Sequence, residues 1–290
     1  LFTLARDFHA QSGALVPQAC NGSEAKTKAA YRFLCHKQVD METLLKPHVE
    51  STADRINEHE VVLAVQDSTT LNYTAHPGTK DLGPINTKRS TETGLILHDT
   101  MAFTPGGTPL GLLDVQCWAR DPNDSGKKER RATLPIEEKE SMKWLRSFRK
   151  IAELQKLCPD TLLVSIGDRE SDLYELFVEA VQDPGGPGLL VRAEKSRNRK
   201  VEEQFLWEFM WHQDVTGSLK IHVPRRGSRK ARDAWVDLRF AEVELKAPSR
   251  SGSVPAVRVW AVYILEQASD ERVDSPIEWM LLTTVEVKTF

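Results

Sequence analysis

The chain has 290 residues, 40% of them apolar, with 39 Lys and Arg against 42 Asp and Glu for a formal net charge of -3. That apolar content suffices for a real core in one large domain or two smaller ones, and the slight acidity argues against a general nucleic-acid coat protein. No apolar run approaches the roughly 18 residues of a membrane span, the N-terminus lacks the basic-then-apolar order of a signal peptide, and Cys20, Cys35, Cys117 and Cys158 are scattered singly, so a reducing cytoplasm is expected.

In chain order, the first sixty residues read as helices. Ser23 is an N-cap with Glu24 in the first turn, followed by the stripe Ala25, Ala29, Ala30, Phe33 and Leu34. A second segment with Met41, Leu44, Leu45 and Val49 is expected to end or bend between Pro47 and Ser51. The run Val61 to Val65 is then a buried strand, and it stops at Gln66 and Asp67 before three hydroxyl residues. Asn72 to Asn86 is polar and Gly/Pro-rich, a surface loop. Gly94 to Phe103 and Leu110 to Trp118 flank the turn signal TPGGTP and are expected as antiparallel neighbours of the first strand. After a charged loop from Asp121 to Leu134, Glu137 to Leu157 is the clearest helix. Acids fill its first turn, and Trp144, Leu145, Phe148, Ile151 and Ala152 recur at helical spacing.

The helix leads to a second strand that runs into an acid, Leu162 to Asp168. Behind it Ser171 caps a short helix, and Leu189 to Ala193 is a further strand. From Glu194 to about Pro276 the texture changes to alternating strands, Leu219 to Val223, Trp235 to Phe240 and Val257 to Leu265, joined by basic or Pro/Gly/Ser-rich turns. Trp279 to Thr284 is a strand returning to the main sheet.

Either aspartate alone reads most simply as a turn residue. Together, two acids ending buried strands of one sheet can meet at a common edge, where carboxylate oxygens suit a hard divalent cation such as magnesium, and two such ions can flank an in-line attack on a phosphodiester. Basic residues bunch around this prospective site. They are Lys127, Lys128, Arg130 and Arg131, then Arg192, Lys195, Arg197, Arg199 and Lys200, and most densely Arg225, Arg226, Arg229, Lys230 and Arg232. Each cluster is a candidate phosphate track, with a solvated loop as the plain alternative.

Three antiparallel strands, a helix and a fourth strand, with acids ending the first and fourth, is the order of an α/β ribonuclease-H-like mixed sheet with flanking helices. Over nearly its whole length the chain resembles the Asp-Asp-Glu cut-and-paste transposases of bacterial insertion sequences, the insertion-sequence-four group. The segments that carry the resemblance are GSEAKTKAAYRF (Gly22 to Phe33), QDSTTLNY (Gln66 to Tyr73), PIEEKESMKW (Pro135 to Trp144), IGDRESDLYE (Ile166 to Glu175), VRAEKSRN (Val191 to Asn198) and IEWMLLTT (Ile277 to Thr284).

The resemblance implies that Asp67 and Asp168 are the first two catalytic acids and metal ligands, with two Mg2+ or Mn2+ ions per complete site. It also implies that Arg192, Lys195, Arg197 and Arg199 contact phosphates around a flipped end base, and that Trp279 stacks on that base. The family's third acid lies in a tyrosine-arginine-glutamate-lysine signature after the WMLLTT strand, and no such signature occurs among these 290 residues. The implied organisation is a helical DNA-end-binding segment (1–58), the first part of the catalytic core (59–193), a β-rich DNA-contacting insertion (194–276) bearing Arg225, Arg226, Arg229 and Lys230, and a returning core strand (277–290). Expected partners are transposon-end and target DNA and, in the full-length enzyme, a second copy of the chain, in a bacterial cytoplasm. The alternatives are a non-catalytic DNA-binding remnant and a metal-dependent nuclease without strand transfer.

Overall fold

The computed structural model describes residues 2–86, 91–122, 134–227, 230–248, 254–267 and 276–289. It is a mixed α/β structure whose backbone divides into two units, Leu1–Ser51 and Thr52–Phe290.

The first unit contains α1 (Phe2–Ala10), α2 (Val16–Ala19), α3 (Glu24–Leu34) and most of α4 (Met41–Ile56). Ser23 caps α3 as the sequence suggests, its hydroxyl accepting from the Lys26 amide at 3.4 Å, and Lys26 reaches the mostly buried Asp7 of α1 at 2.7 Å. The expected end or bend of the second helical segment near Pro47 gives way to a helix that continues to Ile56. Proline removes one backbone donor, but the last turn lies in the second unit, where Thr52, Ala53 and Ile56 are buried and Thr161 donates to the carbonyls of Ile56 and His59. Tertiary burial outweighs the local penalty.

Among the described residues the second unit carries twelve strands in one mixed sheet: β1 (Val61–Asn72), β2 (Gly83–Pro84), β3 (Thr93–Phe103), β4 (Pro109–Trp118), β5 (Leu162–Gly167), β6 (Gly188–Arg192), β7 (Lys200–Val201), β8 (Gln204–Phe205), β9 (Gly217–Val223), β10 (Arg232–Leu245), β11 (Val257–Glu266) and β12 (Glu278–Thr283). The order is β2-β3-β1-β5-β6-β12-β11-β10-β7-β8, with β4 on β3 and β9 on β10. Strand β3 runs antiparallel to β1, whereas β5 is parallel to β1 and β6 to β5. β4 pairs with β3 and not with the first strand. The strands of the 194–276 stretch extend the same sheet through β12.

The first strand is more than twice as long as its apolar run. It continues through Asp67 and the hydroxyl residues to Asn72, so Asp67 sits within the strand instead of at its end. Threonines suit a pleated strand, and pairing with β3 carries this half even where its side chains face water. The long helix is correspondingly shorter than its pattern. α5 spans Met142–Gln155, and the acids Glu137 and Glu138 belong to a separate 3-10 turn, Ile136–Glu138. Trp144, Leu145, Phe148 and Ile151 of α5 are buried in the core. α6 (Tyr174–Gln182) and α7 (Leu206–Trp211) contribute Leu176, Phe177, Leu206 and Met210 to the same core as Val243, Val259, Ala261 and Leu282 of the sheet. The other sheet face is only half-buried: Leu63, Val65, Leu97, Met101, Ile166, Leu190 and Leu281 alternate with the buried residues of the helix-covered face.

Candidate active site

Register brings the two aspartates together. β1 and β5 pair in parallel with Val61 level with Leu162 and Val65 level with Ile166. The ladder stops there, and the same register continued two residues along both strands would set Asp67 level with Asp168. Gln66 and His98 are buried on the helix side, so alternation sends Asp67 to the half-buried face, where it is exposed, as is Asp168. Asp168 follows the last residue of β5 and caps the 3-10 turn Arg169–Ser171, its Oδ1 accepting from the Glu170 amide at 2.8 Å. Asp67 Oδ1 accepts from the Ser68 amide at 2.7 Å. Ser171, expected as a helix cap, instead donates its hydroxyl to the Asp168 carbonyl at 2.6 Å, and α6 starts three residues later behind Leu173.

A third acid joins this row that the sequence reading does not single out. Asp99 is directly opposite Asp67 in the β1–β3 pair. Burial first, and then the charge of Asp67, raise its carboxyl above the ordinary aspartate value. The signal in the sequence is an acid in the middle of an alternating strand, GLILHDTMAF, at a position where apolar residues precede and follow it. Among the described residues, no three His, Cys, Asp or Glu side chains converge closely enough to form a closed metal site. The donor chemistry nevertheless fits a hard cation. Asp67 and Asp168 each use one oxygen on an amide, and both are open to water.

Behind the acids lies a buried polar chain. His98, 0% exposed, meets Ser68 Oγ through Nδ1 at 2.8 Å and Gln66 Oε1 through Nε2 at 3.2 Å, and Gln66 Nε2 donates to Ser165 Oγ at 2.8 Å. The Trp144 ring packs edge-on at 4.7 Å. Burial, then the nearby Lys143 charge, push His98 down to about 4, so the imidazole is neutral near neutral pH.

The candidate DNA contacts divide into three groups. Arg192 ends β6 on the acids' face, and its guanidinium lies 4.9 Å from the ring centre of Trp279, which is 39% exposed. Burial lowers its pKa first and Arg169 next, while Asp168 and Glu194 act in the opposite sense. Lys195 is exposed and pairs with Glu278 at 2.6 Å. Arg197 donates to the carbonyl of Asp172 at 2.6 Å, clasping the turn behind Asp168.

Arg199 corrects the expectation of a phosphate contact. It is buried in an ion pair with Asp172, whose other oxygen accepts from the Glu194 amide at 2.8 Å, so the guanidinium is already neutralised inside the protein. Its spacing from Arg192 and Arg197 matches a phosphate track, but the inward partner at Asp172 lies 27 residues away in sequence. In the third group, Arg225, Arg226 and Lys230 are exposed in the connection between β9 and β10. Arg229, like Lys127, Lys128, Arg130 and Arg131, lies outside the described residues.

No family model matches the chain. Among solved structures it is similar to the piggyBac transposase synaptic complex with hairpin DNA, at a TM-score of 0.37 and 10% identity, over 91% of this chain and 44% of that chain. The chain thus spans less than half the length of that transposase chain. No helix among the described residues is long and apolar enough to cross a membrane.

Proposed function

We propose that the chain carries the catalytic sheet of a DNA transposase of the Asp-Asp-Glu type, similar to the insertion-sequence-four group, acting on phosphodiesters at transposon ends with Mg2+ or Mn2+. What supports this reading is the parallel register of β1 and β5, which continued two residues would set Asp67 level with Asp168, with Arg192 and Trp279 on the same sheet face. The order β4-β3-β1-β5-β6, with β3 antiparallel and β5 parallel to β1, supports a ribonuclease-H-like core, of which the strands between 194 and 276 are the insertion.

In this reading Asp67 and Asp168 hold the divalent ions through their free carboxylate oxygens. The ions, when bound, supply Lewis acidity to the scissile phosphate and a low-pKa water. Arg192 and Lys195 neutralise the phosphates beside the cut, and the cationic aromatic platform of Arg192 on Trp279 receives an unstacked end base. Arg225, Arg226, Arg229 and Lys230 track the backbone further out. The third acid would come from the glutamate signature that the family resemblance implies, and strand transfer would take place in a dimer holding two ends and a target, in the cytoplasm.

A second reading, a DNA-binding protein that cuts nothing, is favoured by one observation: among the described residues the acids do not converge into a closed metal site. A Mn2+ titration followed by the electron paramagnetic resonance of the free ion separates the two. Weak binding by the wild type that is lost in Asp67→Asn and in Asp168→Asn is expected. Equal binding by all three proteins, or none by any, sinks the metal reading and leaves the binding one. A nuclease without strand transfer is told apart by its products, which would lack joined end and target strands.

A further inference from the structure

The sheet face opposite the carboxylates carries a buried polar chain, bordered by apolar residues on one side and by the polar residues Thr100, Gln116 and Ser147 on the other. Val62, Ala64, Ile96 and Ala102 are buried on the same side, yet Gln66, Ser68, His98 and Ser165 interrupt them. Their bonds run in one direction. Gln66 commits its amide to Ser165, so its oxygen accepts from His98 Nε2, and Nδ1 is left to accept from the Ser68 hydroxyl. Apolar side chains would fill this volume at no desolvation cost, so the chain is not explained by stability alone.

Its placement is specific. Gln66 and Ser68 flank Asp67 on β1, His98 precedes Asp99 on β3, and Ser165 stands three residues before Asp168 on β5. The β1–β5 pairing ends at Val65 and Ile166, short of both aspartates. From the first residue beyond that ladder, Gln66 reaches back to Ser165 within it and adds a side-chain tie between the two strands where the backbone pairing stops. A slip of one residue would turn Asp67 to the wrong face. We propose that Gln66, His98, Ser68 and Ser165 act as positioning residues that fix the level and lateral spacing of Asp67 and Asp168.

This rests on the reading of the two aspartates as ion ligands, and the test keeps the two apart. In the 290-residue chain, Gln66→Met/His98→Phe replaces the two central members of the chain by apolar side chains of similar size and leaves the Ser68 and Ser165 hydroxyls without these partners. At a thermal midpoint close to that of the wild type, Mn2+ affinity should fall about tenfold, the lower end for partners that orient ligands. Affinity within about twofold of wild type overturns the proposal, because effects of that size fall below what orienting partners contribute. If the double variant does not fold, Ser165→Ala removes one oxygen and carries the same comparison.

If neither the wild type nor Asp67→Asn binds Mn2+, the ligand reading has failed, and amide hydrogen exchange decides on the relay by itself. Exchange about tenfold faster in the variant at Asp67 and at Ser171, whose amide donates to the Asp168 carbonyl at 3.1 Å, with the remaining core protected as before, supports local positioning. Unchanged exchange at those two amides overturns it.

Discussion

Asp99 carries a charge that its surroundings disfavour, through burial first and the neighbouring Asp67 next. Because its pKa is raised, the folded state binds its proton more tightly than the unfolded chain does. Stability from this group is therefore complete below the ordinary value of 3.8 and is lost as pH rises through the raised folded value. Asp99→Asn should raise the thermal midpoint by a few degrees at pH 7 and by nothing near pH 3. A lower midpoint at pH 7 would mean that the Asp99 charge has a favourable partner. His98 works in the opposite sense of pH. Its folded pKa of about 4 lies below the ordinary 6.5, so the stability it contributes is lost as pH falls through that window.

Arg199 is a charge that must keep its partner. Arg199→Ala leaves Asp172 buried and uncompensated, and breaking a buried pair in this way costs about 3 to 5 kcal/mol. Urea denaturation should show a loss in that range. A loss of DNA affinity with unchanged stability would restore Arg199 as a phosphate contact. The sequence displays the arginine but not its inward partner, since a buried pair and a solvated track have the same composition.

At the scale of elements, the turn after β5 is set by close packing. A Cβ at Gly167 would lie 2.2 Å from Ser171 Oγ and 3.1 Å from the Trp144 ring of α5. Gly167→Ala should therefore push the turn that Asp168 caps away from α5, at about 1 to 3 kcal/mol for overpacking. Mn2+ affinity should fall with it; a variant as stable as wild type would show that the backbone at Ser171, whose Cβ would lie 2.6 Å from the new methyl, yields at little cost. Much of the element order is legible in the sequence here. β3, β4, β5, β6, α5 and α6 follow from alternation and helical spacing, and Asp168 at the end of β5 follows from its apolar run. The second half of β1 is not legible, because its residues face water and only the pairing with β3 keeps them extended. The acids before α5 read as part of the helix because a 3-10 turn and a first α-turn share the same local preferences. Asp99 and the His98 chain escape a sequence reading for a related reason: their significance lies in cross-strand register, which a single strand does not display.

For the whole molecule, the basic connection between β9 and β10 and the carboxylate row divide the proposed work between holding DNA and cutting it. Every phosphate that a variant no longer neutralises reduces the slope of log affinity against log salt by about 0.9 on duplex DNA. Arg225→Ala/Arg226→Ala/Lys230→Ala should flatten the slope by two to three such steps without altering Mn2+ binding. An unchanged slope would make this connection a solvated loop.

Asp67 and Asp168 are proposed here as two of the three acids of a metal-dependent cutting site. The most direct measurement is nicking of labelled transposon-end DNA in Mg2+, with and without EDTA. The 290-residue chain is compared with a protein extended through the glutamate helix that the family resemblance implies. Mg2+-dependent nicking by the extended protein, loss of it in Asp67→Ala and in Asp168→Ala, and no strand transfer by the 290-residue chain alone are the expected results. Robust transfer by the shorter chain, or nicking that survives either substitution, would contradict this role for the two aspartates.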